Sequence, residues 1–226
     1  MKQISLNPFE KIFFTLLFVL AVITLYIGFT NATYFNDVFA QEDGAIEYAT
    51  FVFLFLISLL QFKRLFTLKN KNVLWKAAVF FSALLFFFGA GEEISWGQRI
   101  FNVESTDFFL DNNDQGETNL HNLKVGDVKL NKLIFSQLIT LFMVVYLLIM
   151  PLLYKKFNSI KTFIDRLAIP VPKLSHIIAF LLNTAVILIL PNLSRKWEVY
   201  ELFFASIFLV IFLFPVNKEV YLDGTK

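Results

Sequence analysis

The residues best suited to chemistry follow a long apolar run. Glu92 and Glu93 stand directly after residues 77–91, in which Ser82 is the one polar side chain. Carboxylates at the end of an apolar span are costly unless they have partners or water, so they are candidates for function. Paired carboxylates are also a common source of a general acid or base. We therefore predict catalytic roles for Glu92 and Glu93, as acid–base groups or as metal ligands.

The residues that follow this pair could bind a substrate. If the helix continues, Glu92, Trp96 and Arg99 share one face, because they are spaced four and seven residues apart. Arg99 could pair with Glu92 or Glu93 or hold an anionic group, and Gln98 could orient it. Trp96 also fits the aromatic belt at a membrane interface. The alternative is an ion-pair network that merely ends the helix.

A second polar group lies about twenty residues further on. Glu117 and His121 are four residues apart, so on a helix they would face the same way, as metal ligands or as a base and its orienting partner. Asn119 and Asn122 flank them as substrate-orienting amides. Oxygen-rich side chains suit Ca²⁺ or Mg²⁺, so a divalent cation fits this group without being required. The alternative for His121 is a loop histidine that bonds to the backbone.

A third acidic group precedes the second apolar run. Asp43 and Glu47 are four residues apart and would share a helix face. Capping of the helix N-terminus explains Asp43 well and Glu47 less well, so we predict a substrate-binding role for both as the alternative to capping. Glu198 and Glu201, at the start of the sixth apolar run, are expected to join the same acidic rim.

Composition indicates a membrane protein. The chain of 226 residues is 57% hydrophobic, contains 30 Phe and has a mean hydropathy of +0.65, whereas soluble domains are about 45–50% apolar. Its net charge is +2 and its basic residues form no patch, which disfavours nucleic acid as a partner. With no Cys and two His, a disulfide, a Cys nucleophile and a zinc site built from several His are excluded.

Six apolar runs predict an all-α bundle of six transmembrane helices in a single domain, residues 1–226. The runs cover about residues 12–29, 45–62, 73–91, 133–154, 174–190 and 199–214. Each approaches the roughly 20 residues that a helix needs to cross a bilayer. The one long connection, residues 92–132, carries the second polar group and is predicted to fold over the outer mouth of the bundle.

The distribution of basic residues predicts the orientation. Six spans put both termini on one side, and that side holds 14 of the 20 Lys and Arg residues. They are Lys2, Lys11, Lys63, Arg64, Lys69, Lys71, Lys76, Lys155, Lys156, Lys161, Arg166, Lys173, Lys218 and Lys226. Because basic connections stay inside, we predict a bacterial cytoplasmic (inner) membrane protein with both termini cytoplasmic. The three acidic groups then share the outer face.

The motifs resemble those of a family of bacterial multispanning membrane proteins with no established activity. The matching segments are residues 42–47 (E-D-G-x-x-E), 91–99 (G-E-E-x-S-W-G-Q-R) and 115–122 (Q-G-E-x-N-L-H-N). The chain also resembles alkaline ceramidase-like membrane hydrolases in having acidic and His residues near one face. Their three-His zinc site has no counterpart here, because His121 and His176 are predicted on opposite sides of the membrane.

Three functions remain open at the level of sequence. An enzyme that hydrolyses or transfers a group on a lipid or lipid-linked substrate predicts a pocket at the outer interface. A cation or solute transporter or channel predicts a polar path that continues past Ser82 and Asn183, although mid-span charge is nearly absent. An assembly factor predicts an outer loop that projects to a partner. For His176 and Asn183 themselves, hydrogen bonds between helices are the favoured interpretation.

Overall fold

A computed structural model describes residues 6–113, 115–120, 123–125, 128–129 and 139–223. Their architecture is helical, apart from one pair of two-residue antiparallel strands, β1 (Lys124–Val125) and β2 (Val128–Lys129). The helices are α1 (Pro8–Thr30), α2 (Ala32–Tyr34), α3 (Ala45–Thr67), α4 (Val73–Glu93), α5 (Asp107–Asn112), α6 (Ile139–Met143), α7 (Met150–Lys156), α8 (Asn158–Arg166), α9 (Leu174–Ile189) and α10 (Lys196–Leu213).

Three helices are long and apolar enough to cross a membrane. They are α1, α3 and α4, with 23, 23 and 21 residues, and each exceeds the length that spans the hydrocarbon core. The predicted spans 12–29, 45–62 and 73–91 lie inside them, so these three are confirmed as long apolar helices. α9 is apolar but has 16 residues. Six membrane crossings stay a prediction.

The centre of the bundle is α10. From Val199 to Phe212 it is buried at nearly every position, on all sides, and a helix that is apolar all round belongs in an interior. It packs along α3 and α9, while α3 also packs along α4. The outward faces of α1 and α4 carry exposed side chains such as Phe18 and Phe81, each 68% exposed.

The fourth predicted span, 133–154, is described from residue 139 onward. There α6 leads through a wider turn of π-helix, Val144–Ile149, into α7. Pro151 stands shortly after the π-helical turn, inside this continuous helix, and a local widening of the helix accommodates a residue that lacks an N–H. The Tyr146 hydroxyl donates to the Pro170 carbonyl at 2.6 Å, which ties this helix to the chain before α9.

A buried ionic cluster joins α1 to α9 at the end that carries the N-terminus. Glu10 is fully buried, and Lys173 Nζ donates to its two oxygens at 2.8 and 2.9 Å. His176 Nε2 lies 2.9 Å from Glu10 Oε1. The interpretation of His176 as a link between helices is therefore confirmed. For Asn183 it is wrong: its amide donates within α9, to the Ala179 carbonyl at 2.8 Å.

The chain after α10 folds back onto the same end of the bundle. Asn217 accepts from the Val171 amide at 2.9 Å and donates to the Ile169 carbonyl at 3.0 Å. The Arg64 guanidinium lies 3.8 Å from the centre of the Tyr221 ring. These contacts close the end of the bundle opposite to the acidic motifs.

Candidate functional site

The helix does not continue to Arg99, because α4 ends at Glu93, so the shared helical face of Glu92, Trp96 and Arg99 that a continuation would have given does not form. Ser95, Trp96 and Gly97 follow with positive φ angles of 45°, 55° and 77°. This turn folds the Trp96 ring back over Gly91, where a Cβ atom would lie 2.8 Å from the ring. Gly91 therefore permits a close approach that ends the helix.

Glu92 holds the turn and the following loop in place. Its Oε1 accepts from Trp96 Nε1 at 2.8 Å and its Oε2 accepts from the Leu120 amide at 2.6 Å. The side chain is buried. A carboxylate with both oxygens hydrogen-bonded to fixed donors acts as a structural anchor. The predicted catalytic role of Glu92 stays a prediction, and this geometry does not add to it.

Arg99 joins the three sequence motifs. Its Nη1 pairs with Asp43 and its Nη2 pairs with Glu117. The predicted pairing of Arg99 with Glu92 or Glu93 is therefore wrong: the guanidinium pairs with Asp43 and Glu117 instead, although Arg99 and Glu93 line the same small crevice. The guanidinium side chain is about half exposed and Glu117 is buried, so one face of Arg99 remains open to ligands.

Glu117 sits in a hydrogen-bonded network with Ser95 and Asn119. Its Oε2 accepts from the Ser95 hydroxyl at 2.5 Å and from Asn119 Nδ2 at 3.2 Å. Asn113 Nδ2 in turn donates to Asn119 Oδ1 at 2.9 Å. Glu117 and Asn119 lie outside any helix, so the condition under which Glu117 and His121 would share a helical face is not met at Glu117.

His121 and Asn122 lie outside the described residues, and their predicted roles stay predictions. Gln98 is described, and its side chain fastens the loop. Its Nε2 donates to Ser105 Oγ at 2.5 Å and its Oε1 accepts from the Thr118 amide at 2.8 Å. Motif spacing does not identify Ser105, which stands between the second and third motifs.

The first motif organises the start of α3. Gly44 is the N-cap residue, and the Glu47 carboxylate reaches back to accept from the Asp43 amide. Asp43 itself has φ of 55°. Among the described residues, no side chain caps the first turn of α3. Glu47 instead holds the backbone just before the N-cap, and the Asp43 side chain, for which capping was the alternative, pairs with Arg99.

Glu42, the preceding residue, connects this motif to the start of α10. Its carboxylate pairs with Arg195, whose Nη1 also lies 3.8 Å from Glu198 Oε1. Partial burial acts to lower the pKa of the Arg195 guanidinium, but the hydrogen bond and the charge of Glu42 outweigh it, so the pKa is raised. Arg195 is therefore a permanent positive charge at this edge of the acidic group.

A small crevice opens between the start of α3 and the end of α4. It is lined by Asp43, Glu47, Tyr48, Glu93, Ile94, Arg99 and Ile100. Two carboxylates from different helices, Glu47 and Glu93, thus share a crevice with a guanidinium. Tyr48 and Ile100 directly follow the first and second motifs, and the spacing of the motif residues does not predict that they line the crevice.

Carboxylates from three helices come near Glu93, and of these Glu47 and Glu93 line the crevice. Glu93 lies within electrostatic range of Glu47, Glu92, Glu198 and Glu201. Within the part of the chain that the structure describes, no hydrogen bond or ion pair engages the Glu93 carboxylate. Like charges close together are costly unless a proton, a cation or a polar ligand compensates them. Of the predicted catalytic residues that the structure describes, Glu93 is the one that lines the crevice.

No group of three or more His, Asp or Glu side chains is arranged to hold a metal ion among residues 6–113, 115–120, 123–125, 128–129 and 139–223. The carboxylates around Glu93 influence one another electrostatically without forming a metal-binding shell. A metal centre completed by residues such as His121 stays a prediction.

Fold and site together define a helical protein with three apolar helices of membrane-spanning length and an acidic crevice at the end of two of them. Comparison with protein-family models, curated proteins and solved structures finds no match to the chain. The resemblance to bacterial multispanning proteins therefore rests on the motifs alone.

Proposed function

We propose that the protein is a multi-pass protein of the bacterial cytoplasmic membrane that hydrolyses or transfers a group on a lipid or lipid-linked substrate. The crevice between α3 and α4 would be its site, at the outer face of the membrane. The apolar surfaces of α1, α3 and α4 support the membrane location, and the distribution of Lys and Arg supports the orientation.

The observation that carries the proposal is the shared crevice of Glu47, Glu93 and Arg99. It lies where the apolar helices α3 and α4 meet the polar loop, at the level where a lipid head group would reside. Two carboxylates in different surroundings suit general acid and base roles, because unequal surroundings separate their proton affinities. A guanidinium beside them suits an anionic group such as a phosphate.

Each residue then has a role. Glu93 is the proposed acid–base group, and Glu47 is its partner across the crevice. Arg99 binds the anionic group, while Asp43 and Glu117 hold the guanidinium in position. Among the remaining predicted residues, Trp96, Gln98, Asn119 and Glu92 shape the loop. His121 and Asn122 are proposed to complete the site from the adjoining segment.

Comparison of membrane lipids tests the proposal. Bacterial membranes that contain the wild-type protein, the Glu93→Gln variant or no protein are extracted, and lipids and head groups are quantified by mass spectrometry. Wild type should deplete one lipid class and produce its cleaved or modified product, and Glu93→Gln should not. Glu104→Gln, an exposed acid outside the crevice, is the matched control. Identical lipid profiles for wild type and Glu93→Gln would overturn the enzymatic proposal.

The acid excess around Glu93 supports a second candidate, a cation-binding transporter or channel. Glu47, Glu93, Glu198 and Glu201 come from three helices that pack together, and carboxylates placed so attract cations. Liposomes that contain the purified protein should then pass Na⁺, K⁺ or H⁺ faster than empty liposomes, and Glu93→Gln should lower the flux. Flux equal to that of empty liposomes for all three ions contradicts this candidate.

A further inference from the structure

We infer that the segment of residues 100–110, called here the outer apolar segment, inserts into the outer leaflet of the bilayer and opens the crevice sideways to lipid. This inference rests on the proposed function, because it states how a lipid would reach the site. The segment lies between the second motif, residues 91–99, and the third, residues 115–122, and belongs to neither.

The outer apolar segment exposes an unusual amount of apolar surface. Phe101 is 75% exposed, Val103 is 60% exposed, and Ile100, Phe108 and Leu110 are each 57% exposed. Apolar surface in water costs about 25 cal/mol per Å², and contiguous exposed patches mark interaction or membrane surfaces. Five of the six large apolar side chains of the segment are therefore exposed, in a loop that is otherwise rich in Asp, Asn and Gly.

This apolar surface lies next to the exposed side of α4, a helix long and apolar enough to cross a membrane. Phe87 and Phe88 of α4 are exposed, and their ring centres lie 6.2 and 5.5 Å from that of Trp96. The Phe101 ring packs close to Gly97, the residue after Trp96, where a Cβ would lie 2.9 Å from it. The exposed rings of α4 and of the segment therefore flank the same short turn. Proximity to an apolar helix of membrane-spanning length favours lipid as the occupant over a second protein.

Part of the backbone of the segment is hydrogen-bonded within the protein. The Phe101 amide donates to the Gly97 carbonyl and the Val103 amide to the Gln98 carbonyl, both at 2.9 Å. The Leu110 amide donates to the Thr106 carbonyl at 3.0 Å. Each such bond lowers the cost of approaching lipid, where no water replaces a lost partner.

Charged side chains limit the depth of insertion. Glu104 and Asp107 are exposed in the same segment, and carboxylates remain in the head-group region. The segment therefore lies shallowly, with its aromatic and aliphatic side chains below the head groups and its acids among them. An amphipathic arrangement of this kind is typical of interfacial segments.

Insertion places the mouth of the crevice at the level of the head groups. Ile100 is both the first residue of the segment and part of the crevice lining, beside Arg99. A lipid whose chains contact Phe101 and Ile100 would therefore present its head group to Arg99 and Glu93. The substrate class that fits is a lipid with an anionic head group, entering from the bilayer and not from water.

Site-directed fluorescence tests the insertion. The chain has no Cys, so Phe101→Cys and Val103→Cys can each be labelled at one site with an environment-sensitive dye and placed in phosphatidylglycerol–phosphatidylethanolamine vesicles. Lipids with a nitroxide high on the acyl chain should quench both labels several-fold more strongly than aqueous iodide does. Glu104→Cys, the position directly after Val103 in the chain, should show the reverse preference.

Two results would overturn the inference. Stronger quenching by iodide at both apolar positions would show that the segment lies in water, and protection from both quenchers would show that protein covers it. The use of two labelled positions guards against a variant that fails to fold. Because quenching needs no turnover, it is measured equally in the Glu93→Gln background, so failure of insertion is distinguishable from failure of the proposed enzymatic function.

Discussion

At the scale of single residues, Arg99 determines how the acidic motifs meet. It pairs with Asp43 before α3 and with Glu117 in the loop after α5. The pair with Asp43 is partly exposed and so contributes little to stability, about 0–1 kcal/mol. The pair with Glu117 matters more, because Glu117 is buried and loses a compensating charge if Arg99 is replaced.

Arg99→Gln is therefore expected to destabilise the protein by about 1–3 kcal/mol, the usual cost of leaving a buried polar group short of a partner. Ser95 and Asn119 still donate to Glu117, which keeps the loss moderate. Thermal unfolding in detergent, followed by circular dichroism, measures it as a lower melting temperature. Lys155→Gln, at an exposed position, is the control, and equal melting temperatures for the two variants would refute the bridging role.

Gly91 provides a second prediction at this scale. In Gly91→Ala the new Cβ would meet the Trp96 ring at 2.8 Å, and moving the ring breaks its hydrogen bond to Glu92. We expect a loss of about 1–3 kcal/mol, typical of overpacking, together with a shift in tryptophan emission. Gly89→Ala is the matched control in the same helix turn, because its Cβ meets Leu54 Cδ1 at an ordinary 3.6 Å. A melting temperature unchanged in Gly91→Ala would contradict the close approach.

At the scale of elements, burial separates the helices into two kinds. α10 is buried at nearly every position from Leu202 to Phe212 and fills the centre, whereas α1 and α4 expose large apolar faces. A peripheral helix such as α1 has fewer protein contacts to hold it. Glu10 compensates for this, since it is fully buried against Lys173 and His176 of the chain around the start of α9.

Glu10→Gln should accordingly loosen α1 from α9. Removing one partner of a buried ion pair costs about 3–5 kcal/mol, because the other charge is left buried and unpaired. The measurement is the melting temperature in detergent, combined with the rate of proteolysis near the N-terminus. Glu104→Gln serves as the comparison. If Glu10→Gln and Glu104→Gln had the same melting temperature, the ionic cluster would not hold α1 in place.

At the scale of the whole molecule, the acidic motifs and the ionic cluster of Glu10 occupy opposite ends of the apolar helices. The end with Glu10 also receives the chain after α10, through Asn217 and Tyr221. The helices between the two ends carry few charges. Charged groups at both ends, with few charges between them, are what a protein that crosses a membrane requires.

The proposed orientation can be measured on the Cys-free chain. Ser159→Cys and Glu104→Cys are exposed positions at the two proposed sides. In right-side-out bacterial spheroplasts, a membrane-impermeant maleimide should label position 104, while position 159 should react after the membrane is opened. The unlabelled parent protein is the control for background. Labelling of both positions in intact spheroplasts, or of position 159 alone, would contradict six spans with cytoplasmic termini.

The sequence by itself determined the long apolar helices α1, α3 and α4 and the polar character of the motifs between them. Runs of about 20 apolar residues have few alternatives to a long helix, and carboxylates such as Glu93 beside such runs are visible without coordinates. The hydrogen-bond and ion-pair partners of these polar side chains could not be predicted from the sequence. A spacing of four residues predicts contact only if the chain is helical there.

Only the tertiary structure decided which polar residues meet. α4 ends at Glu93, and Arg99 pairs with Asp43 and Glu117 instead of its sequence neighbours. Glu47 reaches Glu93 and Arg99 because α3 packs along α4, and Glu201 comes near because α10 packs along α3. These contacts join residues far apart in the chain, and their distances depend on how helices pack and where each one stops, neither of which local spacing encodes.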